Sequence, residues 1–439
     1  MSAYLVGYAR KDITPTEPIP LMGYGNTFRR ISGPVLDPLY VTCIAITDES
    51  DNTVMMVSID STVPNYMGYI REEVSNATGI PEDQIVINVS HTHSAPDMDA
   101  KHPGVAPYRE LYKARCVQAG IAAYQDRKPA QLYYGNFETE GLNFVRHYRM
   151  DDGSFAGDNF GDWTNHHAVA CATETDRTMH LLKFKRQDAP DVLVMSWRAH
   201  ASITGGSMKP DISADFVGSV RAYLEEKTGC LFAYWQGCAG NVNPRSRIPE
   251  QDCTRDYLEF GKQLGDQTLK GMENLQKQDC APLRFEKYIF PGKVNHTQDH
   301  LLEKAEEIKK YYTETSDWTG AKKMGEPYGI RTPFLAAGIV KHASMGPTWD
   351  ITLTGFAFND ELAVIGASHE MFDSTGQYVE DHSAFKNTIS LGYTNGQIGY
   401  MPTAYAWLYT CYESDTTRFA PGVAEDIAYE QLQLLKRLK

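Results

Sequence analysis

Residues 84–96 read Gln84-Ile-Val-Ile-Asn-Val-Ser-His-Thr-His-Ser-Ala-Pro96. The apolar, β-branched run has the pattern of a buried strand, and Pro96 stops it. At its end the run delivers His91 and His93. If extended geometry continued, residues two apart would face one side, and both imidazoles would look into one space. Two imidazoles at a strand end, opening into a loop, are a common start to a metal site. Paired histidines also occur as satisfied core or surface groups, so the pair needs companions.

The same arrangement recurs along the chain. An apolar run over 192–197 leads to Ala199-His200-Ala201, and one over 231–235 empties into Gly240-Asn-Val-Asn-Pro244. A run over 362–366 ends in Ala-Ser-His-Glu370, and one over 388–393 opens into the loop that holds Tyr400. Runs over 41–47 and 53–59 read as a hairpin, closed by Asp60. Asp60 is taken as a candidate substrate contact beside its plainer role as a turn former. Helical periodicity covers 66–78, 108–127, 214–228, 257–277, 300–313 and 423–439, with Gly79 and Gly229 as stops. Residues 158–167 read as a loop, and 318–345 has no clear period. Alternating strands and helices predict an α/β fold with mixed β-sheets flanked by helices. No repeat or linker divides the chain, so one domain is expected over 1–439, with a polar insertion at about 290–345.

Composition narrows the function classes. The 439 residues are 42% hydrophobic and 22% charged, with a net charge of −14. That balance gives material for a large core and no basic footprint for nucleic acid. No run of 18 apolar residues suits a bilayer. The N-terminus carries neither a charged n-region nor an h-region, so no signal peptide is expected, although a processed secreted form stays compatible. None of the eight cysteines forms a C-x-x-C pair. They read as small apolar core residues or free thiols, which favours a reducing, cytoplasmic setting. A small-molecule substrate is expected, and a homo-oligomer is compatible with the composition.

In open α/β sheets, ligands bind beyond the carboxyl ends of the strands. Zinc takes imidazole nitrogens and a carboxylate oxygen, and a catalytic zinc keeps one position for water. His91, His200 and Glu370 would make such a set. Read singly, His200 also suits a core position, Glu370 also suits the surface, and Tyr400 is one of 26 tyrosines. His102, His147, His166, His167, His180 and His369 are available by residue type as well, and residue type alone does not choose among 13 histidines and 56 carboxylates.

A wider set of segments does choose. Gly7, Asp12-Ile-Thr-Pro15, Met22-Gly-Tyr24, Ser90-His-Thr-His-Ser94, residues 143–146, Ala199-His-Ala201, Gly240-Asn-Val-Asn-Pro244, Glu370, Asn395, Tyr400 and Tyr412-Glu413 follow in that order. In order and spacing the chain resembles the catalytic domain of the neutral/alkaline, non-lysosomal ceramidase family. The resemblance implies that fold and a zinc amidase that cleaves an N-acyl bond with activated water. It implies one Zn2+ per chain on His91, His200, Glu370 and Tyr400. His93 would move the proton, and Arg146 and Tyr412 would meet the scissile carbonyl.

The chain also departs from that family. Its ceramidases carry Gly-Asp-x-Ser-Pro where this chain has Asn241 and Asn243. An amide is no serine-type nucleophile, so no acyl-enzyme is expected, but Asn243 keeps a hydrogen-bonding catalytic role. Asn241 is expected to face substrate. The family's C-terminal immunoglobulin-like domain is not expected here. The loops 148–167 and 295–345 are polar and rich in Asp, Gly, Trp and Tyr. They suit a hydroxylated or sugar-like ligand, or simply solvent. Three readings follow: an amide hydrolase whose substrate need not be ceramide, a metal-dependent hydrolase of an amino sugar or glycoside, and a catalytically degenerate binding protein. The His₂Glu set also accepts divalent ions other than zinc.

Overall fold

Strands Tyr40–Thr47 and Thr53–Ile59 are buried along almost their whole length, which requires cover on both faces of their sheet. The computed structural model describes residues 3–24, 30–205, 209–248, 251, 254–396 and 398–439. The two strands pair antiparallel, Val41 opposite Ile59, as the hairpin pattern predicts. Asp48 holds their turn by accepting from the Ser50 and Asn52 N–H groups.

The larger sheet runs in the spatial order Leu231–Gln236, Val192–Trp197, Thr178–Arg186, Lys128–Glu138, Tyr4–Asp12, Tyr40–Thr47, Thr53–Ile59, Ile85–Val89. Its outermost pairs are parallel and the rest antiparallel. The two ends of this sheet meet. The Asn88 side chain donates to the Gln236 carbonyl at 3.3 Å and accepts the Gln236 N–H at 2.8 Å. A second sheet holds Arg284–Lys293, Thr348–Ala357, Leu362–Ala367 and Asn387–Leu391, with its last pair parallel.

The period-two alternation of the strands builds the layers. Ile44, Ile46, Val54 and Met56 meet Phe356, Phe358, Val364 and Ile389 of the second sheet. Cys43, Ala45, Met55 and Val57 face the other way, into a core shared with helices Met67–Thr78, Val105–Gln125, Phe216–Thr228 and Tyr257–Met272. Helix Val423–Leu438 covers the second sheet, with Ile427, Leu434 and Leu435 against Ile351 and Leu353. The architecture is α/β with two mixed sheets face to face and helices on both outer surfaces.

The segment read as a polar insertion at about 290–345 opens within a strand. Residues up to Lys293 belong to the edge strand Arg284–Lys293. Pro291 and Gly292 disguise that strand, and an edge position tolerates both. Helices Leu302–Thr315, Trp318–Gly325 and Pro333–His342 then close over a small core of Ala305, Ile308, Ile330, Leu335 and Ile339. The seven described cysteines are all free thiols. Among the described residues, no helix is long and apolar enough to cross a membrane.

Candidate metal centre

Strand Ile85–Val89 ends one residue before Ser90, and the chain then leaves extended geometry. His91 adopts a left-handed backbone, φ 57°. This corrects the expectation that a continuing strand would align His91 with His93. A left-handed turn brings the rings together instead, Nε2 to Nε2 at 3.3 Å. His369 and Tyr393, on neighbouring loops, also have positive φ of 80° and 53°. Such residues cost on the order of 1–3 kcal/mol each and concentrate at functional sites.

Two backbone carbonyls set the imidazoles. His91 Nδ1–H donates to the Thr62 carbonyl at 2.7 Å, and His200 Nδ1–H donates to the Val242 carbonyl at 3.1 Å. Each bond fixes the tautomer and leaves Nε2 as a lone-pair acceptor. Both Nε2 atoms point at one oxygen: Glu370 Oε2 lies 3.3 Å from His91 Nε2 and 3.3 Å from His200 Nε2. His200 Nε2 and Glu370 Oε2 are buried with no hydrogen-bond partner among the described residues. Two buried acceptors left without a partner beside a third imidazole fit a cation, and imidazole nitrogens with a carboxylate are the donor set zinc takes. His93 joins the group, since nitrogens of His91, His93 and His200 all lie within 4.8 Å of one another.

Burial pushes the His200 imidazole down to about 4, with the charge of Arg146 adding to the effect. Burial also holds His93 well below the usual histidine range, helped by His91 and His200. Both rings are therefore neutral at pH 7, the form that binds metal or accepts a proton. Burial raises the Glu370 carboxyl and the neighbouring His91 and His200 rings lower it, with the net shift downward.

Glu370 and Tyr400 are placed by a two-residue parallel ladder. Burial, then the Glu370 charge, pushes the Tyr400 hydroxyl well above its ordinary value, so it stays protonated. Arg146 lies 5.2 Å from the Tyr400 ring centroid. Its Nε and Nη2 donate to Glu413 Oε1 at 2.8 and 2.5 Å. Glu413 Oε2 accepts from His147 Nε2 at 2.8 Å, and His147 Nδ1 accepts the Tyr409 hydroxyl at 2.8 Å. Tyr412 stands beside Tyr400, ring centroids 5.6 Å apart, with its phenol pushed up to about 12 by burial. A cavity of about 350 Å³ opens on these groups, with His93, His200, Arg146 and Asn243 in its wall.

The loop Gly240-Asn-Val-Asn sits beside the 143–146 segment because Val242 and Asn243 pair antiparallel with Val145 and Phe144. Gly240 has no room for a side chain, since a Cβ there would lie 2.3 Å from the Glu370 carbonyl oxygen. Asn243 faces the cavity and donates to Asp158 at 3.2 Å. Asn241 does not face it: its amide exchanges two hydrogen bonds with Asp373, at 2.7 and 2.9 Å. Asp60 is likewise engaged elsewhere, accepting from Arg221 Nη2 at 2.9 and 2.7 Å and from the Tyr40 N–H. Neither residue, expected as a substrate contact, lines this cavity among the described residues.

Residue-type reasoning passed over several neighbours. Tyr24 stands edge-on to His93 at 4.9 Å. The preceding Gly23, φ 108°, leaves space that a Cβ would take from His93 at 2.6 Å. Tyr393 lies 4.6 Å from the His91 ring. The Met22-Gly-Tyr24 motif carried a signal for Tyr24. The carbonyls of Thr62 and Val242 carry no side-chain signal at all.

No family model matches the chain, and no curated protein matches it by sequence. Solved structures do match its fold. The neutral ceramidase from Pseudomonas aeruginosa superposes with a TM-score of 0.73 at 14% identity, over 100% of this chain and 75% of that one. A ceramidase complexed with C2 gives 0.71 at 14% identity, with the same coverage.

Proposed function

We propose that this chain is a metal-dependent hydrolase that cleaves an amide, N-acyl bond. The observation that carries the reading is the meeting of His91 Nε2, His200 Nε2 and Glu370 Oε2 as buried acceptors around one point. The ceramidase-like fold supports the amide class. One divalent cation per chain, zinc by donor type, would be held by His91, His200 and Glu370, with Tyr400 alongside. When bound, it supplies a Lewis acid and makes water a nucleophile near neutral pH.

The chain's own groups do the rest. His93, neutral and in the cavity wall, accepts the proton of the attacking water and passes it to the leaving amine. Arg146 stabilises the charge that develops on the carbonyl oxygen, and Glu413 with His147 behind it fixes the guanidinium in place. The protonated phenols of Tyr400 and Tyr412 add donors on the same side. Asn243 contributes a hydrogen bond in place of a nucleophile, so the route has no acyl-enzyme step.

The cavity wall is polar, which fits a small hydroxylated or charged substrate better than the hydrocarbon chains of ceramide. A second reading, an N-acylated amino sugar or a glycoside, draws on an adjoining cavity of about 550 Å³. There Phe155 of the strand Phe155–Gly157, with Phe160 and Trp163 after it, faces Trp318 and Phe334 of the helical segment. Aromatic faces of this kind suit sugar rings. The test is turnover by zinc-loaded protein of N-acyl lipids, N-acyl amino acids and N-acetylated sugars, with aryl glycosides for the second reading and His93→Ala as control. Hydrolysis of an amide that falls at least about 10²-fold in the variant supports the reading. Absence of any metal-dependent turnover across the three groups, or cleavage of aryl glycosides alone, contradicts it.

A further inference from the structure

The cavity beside the imidazoles has a charge opposite to that of the whole molecule. The chain carries a net −14, yet the described residues of this wall include Arg146, Arg245, Arg247 and Arg255 and one carboxylate, Asp158. Two of the four guanidinium groups are balanced. Arg146 is paired with the buried Glu413. Arg247 reaches Asp158 at 3.3 Å and lies over the Trp163 ring at 4.4 Å. Arg245, half-buried, and Arg255, exposed, have neither an ion pair nor a hydrogen bond among the described residues. A concave wall that holds uncompensated cations focuses its field into the cavity and concentrates anions there. Guanidinium groups recognise carboxylate and phosphate oxygens with two parallel hydrogen bonds.

Resting on the amide-hydrolase reading, we propose that the substrate carries an anionic group, a carboxylate or a phosphate, which Arg245 and Arg255 bind while the amide lies against His93, His200 and Arg146. Asn243 supports the arrangement. Its amide is turned to Asp158, which holds that carboxylate on the Arg247 side and away from an incoming anion. The anionic group makes the substrate a soluble N-acyl compound and excludes a neutral ceramide as the preferred ligand.

Two measurements on the full chain separate this proposal from the reading it rests on. The first is binding of inorganic sulfate, by calorimetry at low ionic strength, to metal-free wild type and to Arg245→Gln, Arg255→Gln and the double variant. Arg255 is exposed, so its replacement preserves the fold even if Arg245→Gln disturbs it. Saturable sulfate binding, weakened at least about tenfold in the double variant, supports the anion site. Undetectable binding to wild type, or equal binding to all forms, overturns it. The second is the kcat/KM ratio of zinc-loaded enzyme for matched pairs. These are N-hexanoylglycine against its amide, and N-hexanoyl-O-phosphoethanolamine against N-hexanoylethanolamine. The charged member is expected to be preferred in one pair, which identifies carboxylate or phosphate, and the preference is expected to vanish in the double variant. Preference for the neutral members overturns the proposal. Arginine-dependent sulfate binding with no hydrolysis of any compound leaves the anion site standing and removes the hydrolase reading.

Discussion

Glu370 and Tyr400 face each other as register partners in a two-residue parallel ladder, with the Glu370 N–H donating to the Gly399 carbonyl at 2.9 Å. The ladder joins a loop after one strand of the second sheet to a loop after the next, and places a carboxylate and a phenol on one rim. The carboxylate is ionised and the phenol is not, so they take different tasks. Tyr400→Phe is expected to retain about one metal per chain and to lower kcat on the best amide substrate by about 10²-fold, the typical loss when one oxyanion donor is removed. Metal titration with a competing chelator, together with steady-state kinetics, checks both parts. Loss of the metal would place the phenol among the ligands instead.

Glu413 lies 1% exposed between Arg146 and His147. Glu413→Ala leaves a buried guanidinium without its counter-charge, which costs about 3–5 kcal/mol. Denaturant unfolding is expected to show a loss of that size. A loss within about 0.5 kcal/mol, the size of an ordinary surface substitution, would mean the network does not hold Arg146.

The Asn241 amide is exchanged with Asp373 and turned away from the cavity. Asn241→Ala is therefore expected to destabilise by about 1–3 kcal/mol, the cost of stranding buried polar partners, with KM unchanged. Asn241→Asp would set a second carboxylate against Asp373, whose own carboxyl burial already pushes up. That variant is expected to be less stable at pH 8 than at pH 5 relative to wild type. An increase in KM for Asn241→Ala, with stability intact, would restore the substrate-contact role.

Burial, with Lys341 and Arg418 nearby, lowers the His342 imidazole to about 4. The unfolded chain takes up this proton near pH 6.5 and the folded chain only near pH 4. The stability cost is thus absent above pH 6.5, grows as pH falls from 6.5 to 4, and is constant below that. In metal-free protein, His342→Gln is expected to lose less stability than wild type across that window, by no more than about 3 kcal/mol. Parallel stability curves for the two proteins would show that His342 titrates normally in the fold.

The strand-end placement of the three candidate ligands was legible because each follows an apolar run. His91 follows Ile85–Val89, His200 follows Val192–Trp197 and Glu370 follows Leu362–Ala367. What the sequence hides is partnership over distance. Asn241 meets Asp373 and Asp60 meets Arg221 across 132 and 161 residues, and each looks available for substrate until that partner is seen. Backbone features are hidden too. The left-handed His91 and the carbonyls of Thr62 and Val242 decide where the imidazole lone pairs point, and no residue type reports them. Trp318–Gly325 and Pro333–His342 are 8 and 10 residues long, too short for a helical period to stand out from the polar sequence around them.

Metal content per chain, by elemental analysis of wild type and His200→Ala after chelation and exposure to zinc, tests the central claim most directly. The account predicts about one zinc per chain in wild type, as one buried donor set implies, and its loss in the variant. Wild type that takes up no zinc, or a variant that holds as much as wild type, would contradict it.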